Sequence, residues 1–143
     1  MGDSFVAPLV EISGEVYIGR HSFVTNHTIL RAEPEQHICI GGRTNVQDNA
    51  WVSAHHEVSH IGDESSLAHH GIVRDSQLGD FVFIGFNAQV RNSVIEDGVF
   101  ILHGAYVEGV TVPKDRLVGV GQVVLTQEVA DALPVAPRTT EEF

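Results

Sequence analysis

Aliphatic residues recur along this chain at intervals of five or six positions. Between residues 61 and 124 the interval is unbroken, and aliphatic residues occupy positions 61, 67, 73, 78, 84, 90, 95, 101, 107, 112, 118 and 124. This interval matches neither the 3.6-residue period of an α-helix nor the two-residue alternation of a single strand. A repeat this short cannot bury its own apolar side chain, so each repeat must stack on the next one.

Small residues and glycines accompany the repeat at set positions. A small or β-branched residue precedes most of the aliphatic positions by two, and these residues are Ser59, Ser65, Val82, Ala88, Val99, Ala105 and Val110. Glycine often follows the aliphatic residue, as in Ile61-Gly62 and Leu78-Gly79. The pattern predicts an all-β fold, a parallel β-helix of hexapeptide repeats in which three short strands form one coil of a triangular prism.

The repeat extends into the first half of the chain, where it is interrupted twice. It starts at Ile12 and breaks at residues 31–37 and again at residues 53–60. Both breaks are polar, which is typical of loops that leave the coil. The second break is rich in histidine and contains His55, His56 and His60. At three aliphatic positions per coil, the chain is expected to form about six coils.

The whole chain, residues 1–143, is expected to form one domain. We assign residues 9–125 to the β-helix, 126–134 to a short C-terminal α-helix and 135–143 to a polar tail. Thr126 suits the N-cap of this helix and Pro134 its end. Two uses of the helix stay open at this point: it lies along a face of the prism or of a neighbouring chain, or it only covers the last coil.

Charge and composition narrow the class of partner. The formal net charge is −11, which argues against nucleic acid and against an anionic membrane surface. The single cysteine excludes an internal disulfide and a cysteine-based zinc cluster. The first eighteen residues lack a basic segment followed by an apolar one, so we expect no signal peptide and a cytoplasmic protein. The thin core of a solenoid favours further burial between chains.

Three segments resemble the γ-class carbonic anhydrase family. Residues 31–48 read RAEPEQHICIGGRTNVQD, and the family motif has Arg-x-Asp followed by Ile-Gly-x-x-Ser/Thr-Asn-x-Gln-Asp. Residues 61–69, IGDESSLAH, resemble the next block. Residues 112–134 resemble the end of the family, including the branch found in carboxysome scaffold proteins. The resemblance implies a homotrimer of left-handed prisms with an active site in the crease between two chains.

The resemblance also implies roles for five polar residues. Arg31, Glu33 and Asp48 match the positions at which neighbouring subunits are tied together. Asn45 and Gln47 match polar residues near the metal-bound water, and they would be the catalytic residues if the protein is an active enzyme.

The three metal-ligand positions of the family depart from its pattern. The family holds zinc or a related divalent ion with three histidines, and this chain has Ser53, His69 and Arg74 at the matching positions. A catalytic zinc site needs three protein ligands and one open position for water. A guanidinium group has no lone pair to offer a metal. We therefore expect a degenerate homologue without a cofactor, which binds or assembles with itself, with a paralogous anhydrase or with a larger complex.

Three alternatives remain open from the sequence. In the first, His55 and His56 join His69 in a rearranged zinc site, and the protein is an active anhydrase that hydrates carbon dioxide. In the second, Ser53, His69 and Arg74 form a pocket for a small anion, unless Arg74 is simply paired with an acid such as Glu57 or Asp75. The third and weaker alternative is a hexapeptide acyltransferase that uses His69 as a base.

Overall fold

The computed structural model describes residues 3–136, and they form the predicted all-β parallel β-helix with one short C-terminal helix. Twenty strands lie in three parallel sheets, two with seven strands and one with six. Every third strand belongs to the same sheet, so each turn of the chain contributes one strand to each face of the prism.

The strands of each sheet follow one another along the prism axis. Sheet A contains β1 (Phe5–Val6), β4 (Phe23–Val24), β7 (Asn45–Val46), β10 (Ser66–Leu67), β13 (Phe83–Ile84), β16 (Phe100–Ile101) and β19 (Leu117–Val118). Sheet B contains β2 (Glu11–Ser13), β5 (Ile29–Ala32), β8 (Trp51–Ala54), β11 (Ile72–Arg74), β14 (Gln89–Arg91), β17 (Tyr106–Glu108) and β20 (Val123–Val124). Sheet C contains β3 (Glu15–Ile18), β6 (His37–Ile40), β9 (Ser59–Ile61), β12 (Gln77–Leu78), β15 (Val94–Ile95) and β18 (Thr111–Val112).

The prism has close to seven turns, one more than the repeat predicted. The additional strand is β1, which pairs in parallel with β4 and lies in the segment before residue 9 that we left outside the β-helix. Val6 precedes Ile12 by six positions and continues the interval by one step. The strand was missed because only one short element of that turn precedes Ile12.

The recurring aliphatic residues form the core. In every coil from Ile18 onward they are buried in the centre of the prism, and Val24, Val52, Ile84 and Val107 are fully inaccessible. Ile12 has the same place in the repeat but is 46% exposed. It belongs to the first coil, where no further complete coil covers the interior.

The corner between sheets C and A shows how acidic residues support the turns. Asp63, Asp80 and Asp97 each accept a backbone N–H bond from the preceding coil, at 2.8–2.9 Å. Gly79 lies against this column, and a Cβ at its position would be 2.1 Å from the carboxylate of Asp97. The predicted place of glycine after the aliphatic residue therefore has a steric cause.

The C-terminal helix α1 (Gln127–Asp131) covers the last coil. Thr126 is its N-cap, and the Thr126 hydroxyl accepts a bond from the Val129 N–H. The Gln127 side-chain amide accepts from the Thr111 N–H and donates to the Thr111 carbonyl, so it pairs with the edge strand β18 as another strand would. Beyond the helix, Val135 forms an antiparallel bridge with Arg116. The rest of the predicted tail, residues 137–143, lies outside the described residues.

Within residues 3–136, no helix has the length and apolar character needed to cross a membrane.

Candidate functional site on the face of sheet B

Sheet B carries most of the site residues inferred from the sequence, but it divides them between its two edges. One outward column at the carboxyl ends of the strands consists of Ser13, Arg31, Ser53, Arg74, Arg91 and Glu108, which are Cα partners in register. We call this the arginine column. At the other edge, where sheet A turns into sheet B, Asp48, His69, Phe86 and His103 follow one another along the corner. We call this the aromatic corner.

Ser53 and Arg74 are immediate neighbours in the arginine column. Ser53 lies between Arg31 and Arg74 in register. It is only 2% exposed. The two residues that match degenerate ligand positions are therefore side by side on adjacent strands.

Arg74 is held by the carboxylate next to it in sequence. The Nε atom of Arg74 lies 3.8 Å from Oδ2 of Asp75, and the Arg74 side chain is 37% exposed. Of the two acids considered as partners of Arg74, Asp75 is therefore the one that pairs with it, rather than Glu57. This ion pair fills space beside Ser53 with a side chain that cannot bind a metal cation.

Asp75 also organises the histidine-rich loop. It is 1% exposed, and its Oδ1 accepts the backbone N–H groups of His55, His56 and Glu57 at 2.6, 3.1 and 3.3 Å. Burial by itself would raise the pKa of Asp75, but these three hydrogen bonds, together with the nearby His55, outweigh it and lower the pKa. The loop at residues 55–58 is thus closed around an ionised carboxylate.

The three histidines of this break make different contacts. His55 Nδ1 lies 3.6 Å from Oε1 of Glu33, a contact between the two loops that interrupt the repeat. The His56 carbonyl accepts a bond from Nε2 of Gln36, at 3.2 Å. His60 is separate from both, because it lies in strand β9 of sheet C beside Cys39.

Within residues 3–136 of one chain, no three His, Cys, Asp or Glu side chains lie close enough together to hold a metal ion. His69 in particular belongs to the opposite edge of sheet B from Ser53 and Arg74. It lies in the turn before strand β11, whereas Arg74 is the last residue of that strand. One chain therefore does not bring the three matching positions together.

His69 belongs to a stack of rings along the aromatic corner. It is exposed, its ring lies 5.4 Å from that of Phe86, and Phe86 stacks on His103 at 4.6 Å with an angle of 20° between the rings. Nδ1 of His103 accepts the Phe86 N–H at 2.8 Å, so a neutral His103 carries its proton on Nε2. Sequence reasoning missed this stack, although the three residues are each 17 positions apart, the length of one regular coil.

Asn45 and Gln47 lie on the same side as His69. Asn45 is exposed in β7 of sheet A, and Gln47 follows that strand, immediately before Asp48. Asp48 in turn is at the opposite edge of sheet B from Arg31. The inferred tie between Arg31 and Asp48 is not formed within one chain. Asp48 lies in the turn before strand β8, whereas Ser53, the register partner of Arg31, lies near the end of that strand.

No protein-family model matches the chain. Curated relatives include the carboxysome assembly protein CcmM of a Nostoc species, with 29% identity over 98% of this chain and 27% of that protein. A carbonic anhydrase of Methanosarcina thermophila is 29% identical over 92% of this chain and 62% of its own length. The mitochondrial gamma carbonic anhydrase 1 of Arabidopsis thaliana is 35% identical over 90% of this chain and 37% of its own length. The inferred resemblance is thus confirmed, and the chain spans between about a quarter and three-fifths of these relatives.

Solved structures agree on the fold. A hexapeptide transferase family protein from Anaplasma phagocytophilum has a TM-score of 0.77 and 27% identity, covering 90% of this chain and 84% of its own. A putative acetyltransferase from Bacillus cereus has a TM-score of 0.79 and 26% identity, covering 92% of this chain and 80% of its own. These neighbours are hexapeptide-repeat proteins of the left-handed β-helix type.

Proposed function

We propose that this chain is a γ-carbonic-anhydrase-like subunit that has lost the zinc site and acts by binding or assembly instead of by catalysis. The observation that carries the proposal is the pairing of Ser53 with Arg74 at two of the three matching ligand positions. A serine hydroxyl is a weak ligand for zinc, and a guanidinium group has no lone pair. The residues present therefore do not fit the metal, and we derive no catalytic step through it.

The division of the site between two edges supports a homotrimer. Arg31 and Asp48 lie at opposite edges of sheet B, and so do Arg74 and His69. Each pair would meet only if the arginine column of one chain faced the aromatic corner of the next. The same arrangement brings Glu33, beside Arg31 in the first loop, to the boundary between chains. An oligomer built this way also covers part of a sheet face that the thin prism leaves exposed.

Among relatives, the name of CcmM describes an assembly protein. We extend that role to this chain, with further copies of itself, a paralogous anhydrase or a larger complex as partners.

An active anhydrase is the second candidate, since His55 and His56 lie in the loop next to Ser53 and a neighbouring chain would bring His69 toward it. The acyltransferases among the structural neighbours motivate a third, which stabilisation by acetyl-CoA in thermal unfolding would support.

The deciding experiment measures zinc in protein purified without chelator. We expect the wild-type chain to hold far less than one zinc per chain, and Ser53→His with Arg74→His to approach about one, since three imidazoles then converge. The matched control is Ser53→His with Arg91→His, which places the third imidazole one strand further along the column. About one zinc in the wild type, lost on His69→Ala, would overturn the proposal in favour of the active enzyme.

A further inference from the structure

We infer that the arginine column of each chain contains a binding site for a small carboxylate, formed by Arg74, Arg91 and the hydroxyl of Ser53. The inference rests on the proposed function only in that no metal occupies this position. The chain has 8 basic residues against 19 acidic ones, yet three of its arginines lie in one column. Such a concentration of positive charge in an acidic protein points to a negatively charged ligand.

Arg74 and Arg91 are direct neighbours. They are Cα partners on β11 and β14, and adjacent strands lie about 4.8 Å apart. Like charges opposite one another on neighbouring strands destabilise a sheet. An anion that accepts hydrogen bonds from both guanidinium groups would turn this repulsion into a stabilising contact.

Both guanidinium groups are oriented, and both keep donors to spare. Arg74 contacts Asp75 through Nε, and within the described residues this is its one ion pair, so its two Nη groups are available. Arg91 donates through Nε and Nη2 to Oε1 of Gln89, at 3.2 and 3.1 Å, which leaves Nη1. Asp75 is itself fixed by three backbone N–H groups, so the position of the Arg74 fork depends on a buried anchor.

Ser53 lies next to this pair. Its side chain is only 2% exposed, and it is the register partner of Arg74 on the neighbouring strand. Within residues 3–136 no buried side-chain polar atom is left without a hydrogen-bond partner, so the Ser53 hydroxyl does not require a ligand. A serine hydroxyl can donate as well as accept, and a ligand oxygen held by Arg74 would lie within its reach.

The geometry favours a singly charged planar group. Each guanidinium group presents its N–H donors in one plane, which matches the two oxygens of a carboxylate. Arg31 is left out of the site, because the proposed trimer pairs it with Asp48 of the next chain. A phosphate also fits a guanidinium fork, but its second charge is disfavoured by Asp75 and Glu108, which belong to the same part of the column.

The test compares acetate, phosphate and chloride at equal ionic strength and fixed pH by thermal unfolding. We expect acetate to raise the Tm of the wild type more than chloride or phosphate does. The acetate-specific rise should begin at concentrations on the order of millimolar, because so small a ligand makes few contacts and binds weakly. Arg74→Gln should abolish the acetate-specific rise and Ser53→Ala should weaken it. Arg43→Gln is the matched control, since Arg43 is exposed and pairs with Glu64, away from sheet B.

If Arg74→Gln does not fold, Arg74→Lys serves instead, because it keeps the charge but loses the fork; the acetate effect should fall several-fold. A rise in Tm equal to that in chloride, or one that survives both substitutions, would overturn the site.

Sedimentation of the same samples addresses a second source of carboxylate. If acetate dissociates an oligomer, a carboxylate of another copy occupies the arginines, and the small-molecule assignment is wrong. Zinc found in these samples would instead contradict the proposed function.

Discussion

The unbroken coils between residues 61 and 124 and the two interrupted coils before them are built on different principles. In the unbroken part each turn is closed by the coil above it, with buried aliphatic residues inside and aspartates such as Asp80 and Asp97 at a corner. In the interrupted part the chain leaves the prism at residues 33–36 and 55–58. Those loops are held by polar contacts, chiefly the Asp75 carboxylate and the contact of His55 with Glu33.

The two regions contribute differently to the stability of the fold and to the candidate site. The regular coils supply a rigid frame whose outward columns are in register over several strands. The interruptions change what lies at one edge of that frame, since the two loops leave sheet B after Ala32 and Ala54, next to Arg31 and Ser53. The regular coils contribute Arg74 and Asp75 to the same edge, and Asp75 joins them to the second loop.

The largest effect is expected from Ile84→Ala in the unbroken part. Ile84 is fully buried, and replacing it leaves a cavity in the core, so the free energy of unfolding should fall by about 2–5 kcal/mol. Ile12→Ala is the matched control at the same place in the repeat. Since Ile12 is exposed at the open end, it should cost less than about 1 kcal/mol in denaturant titrations. Equal losses would mean that the ends and the centre are packed alike.

A smaller effect is expected from Asp75→Asn, which acts on the second interrupting loop. It replaces three charge-assisted hydrogen bonds with neutral ones and should cost about 1–3 kcal/mol at neutral pH. Because the folded-state pKa of Asp75 is below its ordinary value of 3.8, its contribution is present above that pH and is lost as the pH falls through the folded pKa. The difference between wild type and variant should therefore shrink on acidification.

Hydrogen exchange provides the local measurement for this substitution. Amides of His55, His56 and Glu57 should lose protection in Asp75→Asn, whereas those of the regular coils should not. Asp80→Asn is the control from the unbroken part, where one backbone N–H is involved, and it should cost no more than about 1 kcal/mol. If the amide hydrogen exchange of the loop is unchanged in Asp75→Asn, the carboxylate does not close the loop.

The smallest effect is expected from Arg31→Ala on assembly. Within residues 3–136 Arg31 has no ion pair, and in the proposed trimer it meets Asp48 of the next chain. Removing one such pair should raise the dissociation constant of the trimer by about tenfold, which sedimentation over a range of concentrations would detect. Arg43→Ala should leave the assembly unchanged. A trimer that is equally stable with alanine at position 31 would refute this role.

Much of the fold could be predicted because one coil is short and repeats almost without change. The interval of Ile61, Leu67 and Val73 already implies stacked strands, and Thr126 with Pro134 marks the helix that covers the end. Strand β1 was missed because Val6 belongs to an incomplete first turn. The stack of His69, Phe86 and His103 was missed because it depends on which corner each residue occupies, and adjacent turns were compared only by their aliphatic residues.

The sequence by itself determined the class of fold, the two interruptions and the unusual residues Ser53 and Arg74, since these follow from local spacing and from motifs read along one line. Only the tertiary structure decided that Ser53 lies between two arginines, that Asp75 closes the histidine loop, and that His69 is at the far edge of the same sheet. Such contacts join residues from different coils or from loops of variable length, and their relative positions depend on how the coils stack in register.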